Sequence, residues 1–193
     1  MALTIKQEIV LASSSTSRKL LLERAEVPFE VIVSGVDETV PADFLPPQVV
    51  ECLAMRKAEA VYPLCKGRPL VAADSVVAID GLILGKPADD EDARCTLRWL
   101  SGRTHEIYTG VCIMANGKSD VFHASTQVQF YPLSEEEIEE YVSLGESRGK
   151  AGSYGIEGKG VMLVESIKGD YSNIVGLPVA ETLRRLQKLL LDK

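Results

Sequence analysis

Short apolar runs of β type alternate with amphipathic helical runs along this chain, and this alternation restricts its fold more than any other feature. Residues 9–12 and 29–33 have strand character, and residues 18–25 between them suit a helix. A second helix is predicted to begin at Pro46 and to run to about Tyr62, because proline is tolerated where the first helical amides have no intrahelical partner. The pattern predicts an α/β fold around a central sheet, as a single domain over residues 1–193.

Turn and capping residues divide the rest of the chain. Asp80-Gly81 and Asn116-Gly117 are pairs typical of two-residue β-hairpin turns. Ser134, with Glu137 three residues later, forms a capping box that predicts the start of a helix. The other predicted strands are at 70–73, 76–79, 82–84, 107–114, 121–130 and 161–167. Two more helices are predicted, one capped by Asp89 or Asp90 and running through Leu100, and a last one spanning about 179–191.

The net charge of −7 and a pI of about 5.0 argue against a nucleic-acid-binding protein, because binding to a phosphate backbone requires a basic surface. No apolar run reaches the length of a membrane span, and the run near the N-terminus is too short for a signal peptide. The four cysteines are scattered and show no C-x-x-C pair. We therefore expect reduced thiols, mostly in the core, in a cytoplasmic protein that binds neither nucleic acid nor membrane.

The first candidate site is a hydroxyl-rich turn between a predicted strand and a predicted helix. Residues 13–17 are Ser-Ser-Ser-Thr-Ser, and Arg18 and Lys19 follow. The first amides of a helix lack partners and attract anions, so this turn is suited to phosphate oxygens. Alternatively, it is a serine-rich loop with a redundant N-cap. It is not a Walker loop, because the glycines and the Gly-Lys-Thr ending are absent.

Acidic residues provide the second candidate. Asp74 interrupts an apolar β-type run, where a carboxylate is costly to bury. It either holds a turn or serves as a metal ligand or general base. Asp37 and Glu38 follow a strand, a position where most acidic pairs are solvated.

Two lysines complete the set. Lys57 lies on the apolar stripe of the second helix, so its ammonium group must find a partner or extend to solvent. Lys86 follows the first hairpin. Carboxylates, lysines, an arginine and a helix N-terminus are together what phosphoryl transfer with a divalent cation requires.

These residues lie in motifs by which the chain resembles the Maf family of nucleotide pyrophosphatases over nearly its whole length. The similarity is carried by motifs that occur in the family order, and each is weak alone. They are Ser13-Ser14-Ser15-Thr16-Ser17-Arg18, Asp37-Glu38, Lys57-Ala58, Ala72-Ala73-Asp74-Ser75-Val76-Val77, Gly85-Lys86-Pro87, Leu100-Ser101-Gly102-Arg103-Thr104-His105, the segment from Lys150 to Gly158, and Gly176-Leu177-Pro178.

The resemblance implies hydrolysis between the α and β phosphates of a nucleoside triphosphate, as a house-cleaning activity that needs Mg²⁺, Mn²⁺ or Co²⁺. It implies that Asp74 is the general base and that Glu38 and Asp74 bind the metal. The implied phosphate-binding residues are Ser13, Ser15, Arg18, Lys57 and Lys86. The family fold is an elongated, Ham1-like α/β structure with a mixed sheet and two lobes around a cleft, and it forms a homodimer.

The resemblance implies that three positions set base specificity, and these positions do not all match the same branch of the family. Ser17 stands where the family has an arginine that varies between branches. Ser75 is close to the threonine of the dTTP/UTP branch, whereas Glu157 stands where that branch has glutamine and the 7-methyl-GTP branch has glutamate. An ionised glutamate accepts hydrogen bonds but cannot donate them. The surrounding motif favours the dTTP/UTP branch, and the preferred base stays open.

Two other functions are compatible with parts of the sequence. A non-catalytic nucleotide-binding regulator of cell division or septum formation is suggested by the altered Thr16-Ser17 turn, and it would bind nucleotide without turnover. An inosine-triphosphate pyrophosphatase of the related fold would share the reaction but not these motifs. Retention of Asp74 and Glu38 favours the enzyme, since a pure binder has little need of acids beside phosphates.

Overall fold

The computed structural model describes residues 5–191, which form six helices, seven strands and three short 3₁₀ turns. The strands are β1 Ile9–Leu11, β2 Phe29–Val31, β3 Leu70–Ile79, β4 Leu82–Leu84, β5 Thr104–Ala115, β6 Lys118–Phe130 and β7 Val164–Lys168. The helices are α1 Thr16–Arg24, α2 Pro46–Val61, α3 Asp90–Leu100, α4 Glu135–Ser143, α5 Tyr171–Val175 and α6 Val179–Leu191. The 3₁₀ turns are Tyr62–Leu64, Ala151–Ser153 and Lys159–Leu163.

The strands form one mixed seven-stranded sheet, which confirms the predicted α/β class. Its order is β2-β1-β3-β5-β6-β7, with β4 paired to β3. β1 runs parallel to β2 and β3, whereas β4 pairs with β3, and β7 with β6, in antiparallel register. Parallel neighbours require crossover connections, which α1 and α2 provide here. The implied elongated shape and cleft stay predictions.

The described residues divide into two compact units. Of the described residues, the first unit contains 5–75, 109–124 and 176–191, and the second contains 76–108 and 125–175. In the first unit, α2 packs its apolar stripe onto β1 and β3. The buried core there consists of Val10, Ala12, Ala54, Ala58, Val61, Cys65, Leu70, Ala72 and Cys112. That the whole chain acts as one domain stays a prediction.

Both predicted hairpin turns are present, and their backbones explain the residue choice. Asp80 and Gly81 have φ of 52° and 79°, and Asn116 and Gly117 have φ of 53° and 75°. Two successive positive φ angles define the turn that fits the twist of a hairpin, and Asn, Asp and Gly tolerate them best. The capping box at Ser134 is also formed, since Ser134 Oγ accepts from Glu137 N and Glu137 Oε2 accepts from Ser134 N.

Two predictions need correction, and one helix was missed. The alternative that Asp74 holds a turn is wrong, because β3 is continuous through Asp74 and Ser75. The predicted strand at 161–167 begins only at Val164, after a 3₁₀ turn. Helix α5 was not predicted, because five residues are too few to display a helical period.

None of the four cysteines forms a disulfide. Cys65 and Cys112 are buried, as expected of core residues, while Cys52 and Cys95 are not.

Within residues 5–191, no helix combines the length and apolarity needed to cross a membrane.

Candidate active site

The hydroxyl-rich turn forms the N-terminus of α1, as the sequence predicts. Ser15 is the N-cap residue, and its Oγ accepts a hydrogen bond from the backbone N of Arg18 at 3.4 Å. Ser13 Oγ accepts two hydrogen bonds, from Ser15 N at 3.2 Å and from Arg18 Nη1 at 3.0 Å. A hydroxyl has two acceptor lone pairs and one donor, so these two bonds leave the O–H of Ser13 to donate. The turn therefore combines a helix N-terminus with hydroxyl donors.

Arg18 connects this turn to two other segments of the first unit. Its Nε donates to the carbonyl oxygen of Gly176 at 2.7 Å, and its Nη2 donates to Ser75 Oγ at 2.9 Å. Ser75 Oγ also shares a hydrogen bond with Thr109 Oγ1 at 2.8 Å. Arg18 as a whole residue is only 9% exposed. Three of its five N–H donors thus fix protein groups, which makes Arg18 a positioning residue for the turn and for Ser75.

The acids and the lysine that looked anomalous in sequence meet in the same unit. Lys57 Nζ lies 2.5 Å from Asp74 Oδ1 and 2.7 Å from Glu38 Oε1. The side chains of Lys57 and Asp74 are 11% and 14% exposed, whereas that of Glu38 is 61% exposed. Of the two sequence alternatives for Lys57, the partnered one is therefore correct, since its ammonium group bridges two carboxylates.

Electrostatics tie Arg18 to the same acids. Burial lowers the pKa of Arg18, and the negative charges of Asp74 and Glu38 act in the opposite direction. Charge interactions of this kind operate over several ångströms. Arg18 therefore lies within electrostatic reach of the two acids that pair with Lys57, and we call these two cations and two anions the charged cluster.

The acidic pair divides into a structural member and a site member. Asp37 Oδ1 accepts from the backbone N and the Oγ1 of Thr39 at 3.0 and 2.8 Å, and these bonds lower its pKa. Arg56 Nη1 donates to the carbonyl oxygens of Asp37 and Thr39 at 3.3 and 2.6 Å. This loop is therefore tied to α2, and it presents Glu38 to Lys57. Both acids are exposed, as expected of such a pair, and Glu38 differs from Asp37 in forming an ion pair with Lys57.

The second unit carries Lys86 and Glu157, and both are exposed. Lys86 and Gly85 line a shallow cavity of about 340 Å³ together with Trp99, Cys95 and other residues from β4 and α3. The backbone N of Gly152 donates to the Gly85 carbonyl at 3.1 Å, which joins the loop of Lys86 to the segment leading to Glu157. The part that Lys86 and Glu157 play beside the charged cluster stays a prediction.

The segment leading to Glu157 is held rigidly inside the second unit. His105 Nε2 and Tyr154 Oη form a hydrogen bond of 2.7 Å, and His105 is fully buried. The backbone N of Gly155 donates to Tyr141 Oη at 3.1 Å. A Cβ added at Gly160 would lie 2.5 Å from the Gly155 carbonyl oxygen, so only glycine permits this approach. The aromatic and glycine positions of the motif thus have packing roles.

The residues that sequence reasoning missed are Thr109, Arg56 and the Gly176 carbonyl. Thr109 is fully buried on β5 and gave no signal beyond its polarity in an apolar strand. Gly176 belongs to one of the quoted motifs, but a backbone acceptor has no side-chain signature. Ser17 lies half-buried in the first turn of α1, and its predicted role in base specificity stays untested.

The carboxylate oxygens of Glu38 and Asp74 are the kind of ligand that a divalent cation prefers. Mg²⁺ is commonly held by one or two carboxylates, with phosphate oxygens and water in the other positions. No group of three or more His, Cys, Asp or Glu side chains converges anywhere in the described part of the chain. A pair of carboxylates fits a cation that is completed by a nucleotide's phosphates.

Comparison with known proteins now assigns the class. Residues 8–189 match the family model described as Maf-like protein, and the chain therefore belongs to the Maf family. It is 47% identical over 186 residues to a dTTP/UTP pyrophosphatase of Bacillus cereus (strain Q1), covering 96% of this chain and 97% of that protein. It is 48% identical over 182 residues to a dTTP/UTP pyrophosphatase of Bacillus mycoides (strain KBAB4), covering 94% and 95%.

Among solved structures, the Staphylococcus aureus Ham1 protein matches with a TM-score of 0.43 and 18% identity, over 65% of this chain and 73% of that one. Family membership rests on the sequence matches alone.

Proposed function

We propose that this chain is a dTTP/UTP pyrophosphatase, which hydrolyses the bond between the α and β phosphates to give the nucleoside monophosphate and diphosphate. The observation that carries the proposal is the convergence of Lys57, Asp74 and Glu38 from three separate segments. Arg18, which also ties the hydroxyl-rich turn to Ser75, belongs to the same cluster. The names of the Bacillus relatives support this substrate class.

The roles follow from charge and hydrogen-bonding capacity. Ser13, Ser15 and the first amides of α1 donate to phosphate oxygens. Lys57, Lys86 and Arg18 offset the negative charge of the phosphates and of the transition state. Asp74 orients the attacking water and accepts its proton.

A divalent cation bound by Glu38 and Asp74 would polarise the phosphate and stabilise the charge that develops there. Ser17, Ser75 and Glu157 are the proposed determinants of base choice. We also propose a homodimer located in the cytoplasm, with a house-cleaning role. Light scattering of the purified protein would measure its oligomeric mass.

The alternative of a non-catalytic regulator of cell division gains no support from the turn that suggested it. Thr16 and Ser17, which replace the proline and arginine of the family motif, form an ordinary first helical turn capped by Ser15. The turn therefore offers the capped helix N-terminus on which the proposed phosphate site depends.

The decisive experiment measures diphosphate release from dTTP, UTP, CTP, GTP and 7-methyl-GTP with Mg²⁺, Mn²⁺ or Co²⁺. We expect turnover of dTTP and UTP, and we expect Asp74→Asn to lower kcat by roughly 10²- to 10⁴-fold. Asp43→Asn is the matched control, because Asp43 is an exposed acid of the same unit. Folded protein that binds these nucleotides and releases no diphosphate would favour the regulator instead.

A further inference from the structure

Lys57 occupies the position between the two proposed metal ligands. Its Nζ is 2.7 Å from Glu38 Oε1 and 2.5 Å from Asp74 Oδ1, so one cationic group already serves both carboxylates. The side chains of Lys57 and Asp74 are 11% and 14% exposed, so water weakens their interaction little, whereas the pair with the 61% exposed Glu38 is screened more strongly. A divalent cation bound by the same two oxygens would have to displace this ammonium group or lie against it.

Within the charged cluster, the formal charges give such a cation no net attraction. Two cations, Arg18 and Lys57, face two anions, Asp74 and Glu38, and their formal charges cancel. The guanidinium of Arg18 is buried and fixed by three hydrogen bonds, so it cannot move aside to reduce the repulsion. Lys57 is the group that can, because its four-carbon stem is flexible and its ammonium group is not held in a rigid fork.

We propose that Lys57 holds the place of the divalent cation in the substrate-free protein, so that the metal enters the site with the nucleotide and not before it. The proposal rests on the proposed function and on Glu38 and Asp74 as the metal ligands. A triphosphate offers Lys57 a new anionic partner and brings oxygen ligands for the metal. Phosphate binding and metal binding are thereby coupled, and each raises the affinity for the other by the same factor.

The test is the binding of Mn²⁺ to substrate-free protein, measured by calorimetry and by the electron paramagnetic resonance signal of the free ion. We expect weak binding to the unchanged protein and at least tenfold tighter binding to Lys57→Met, which is one heavy atom shorter, keeps an unbranched flexible side chain and removes its charge. Lys188→Met is the matched control. Lys188 is an exposed residue of α6 in the same unit, and its loss changes the net charge equally.

Two further measurements locate the effect. Adding Glu38→Gln to Lys57→Met should cancel the gain, because it removes one of the two ligands. A non-hydrolysable dTTP analogue with an α,β-methylene bridge should tighten Mn²⁺ binding to the unchanged protein at least tenfold, and the factor should be smaller for Lys57→Met. If Lys57→Met unfolds, as circular dichroism would reveal, Lys57→Gln replaces it.

Three results would each overturn the proposal. One is equal Mn²⁺ affinity for the unchanged protein and both Lys57 variants, and another is a gain that Lys188→Met reproduces. The third is a gain that persists with Glu38→Gln, since the ion would then be bound elsewhere. None of these measurements uses turnover, so an absence of diphosphate release refutes the proposed function without deciding this question.

Discussion

Buried His105 should make the stability of this protein fall steeply in mild acid. Its ring is fully buried against Phe130 and Tyr154 in the second unit, and burial lowers its pKa to about 4. In the unfolded chain the pKa of histidine is about 6.5. Between these values the unfolded state binds a proton that the folded state does not, so stability rises with pH from 4 to 6.5 and is lost as pH falls through that window.

The two pKa values set the size of the effect. Between pH 7 and pH 4.5, linkage at this one group removes about 2.4 kcal/mol of folding free energy. That is a large part of the stability of an ordinary domain, which is about 5–15 kcal/mol. The loss should be nearly complete at pH 4, because below that value the folded protein also binds the proton.

The assay is urea unfolding at both pH values, followed by the fluorescence of Trp99, the single tryptophan and a residue of the same unit. His105→Gln removes the titrating ring and leaves every carboxylate in place. The unchanged protein should therefore lose about 2.4 kcal/mol more than the variant between pH 7 and 4.5. Equal losses in the two proteins would show that His105 is not held neutral by burial, and the reasoning would be wrong.

Two further predictions concern the first unit. Arg18→Met should destabilise the protein by roughly 3 kcal/mol or more, because it removes the hydrogen bonds that the guanidinium donates to Ser13, Ser75 and the Gly176 carbonyl. Thermal unfolding measures this loss, and Arg18→Lys should restore only part of it. Gly110→Ala would place a Cβ 2.3 Å from the Val50 carbonyl group, and it should lower the free energy of unfolding in urea by roughly 1–3 kcal/mol or more. Gly85→Ala is the control, because its added Cβ meets open space and should change that free energy by under about 0.5 kcal/mol.

Local chemistry made the turns and caps predictable from sequence. Asp80-Gly81 and Asn116-Gly117 have side chains that tolerate positive φ, and the structure has positive φ at each of these positions. Ser134 predicts its capping box because donor and acceptor lie three residues apart. Each of these features is decided within a few residues, so no tertiary information is needed.

The site was predictable in its residue types but not in its pairings. The helical period places Lys57 on the apolar face of α2, which demands a partner, but the period alone does not say which acid. Asp74 and Glu38 became its partners through the parallel packing of β1 and β3 and through the loop that Arg56 ties down. Thr109 could not have been found, because a buried threonine in a strand is commonplace.

The two strongest anomalies in the sequence are resolved by the same contact. An aspartate inside an apolar strand and a lysine on an apolar helix face each carry a desolvation cost when considered alone. In the structure each is the other's partner at 2.5 Å, so the two costs offset one another. Burying an ion pair is a poor route to stability, since apolar residues of similar volume usually do as well or better. The pair therefore supports the catalytic role proposed for Asp74, since local rules are most often broken at functional sites.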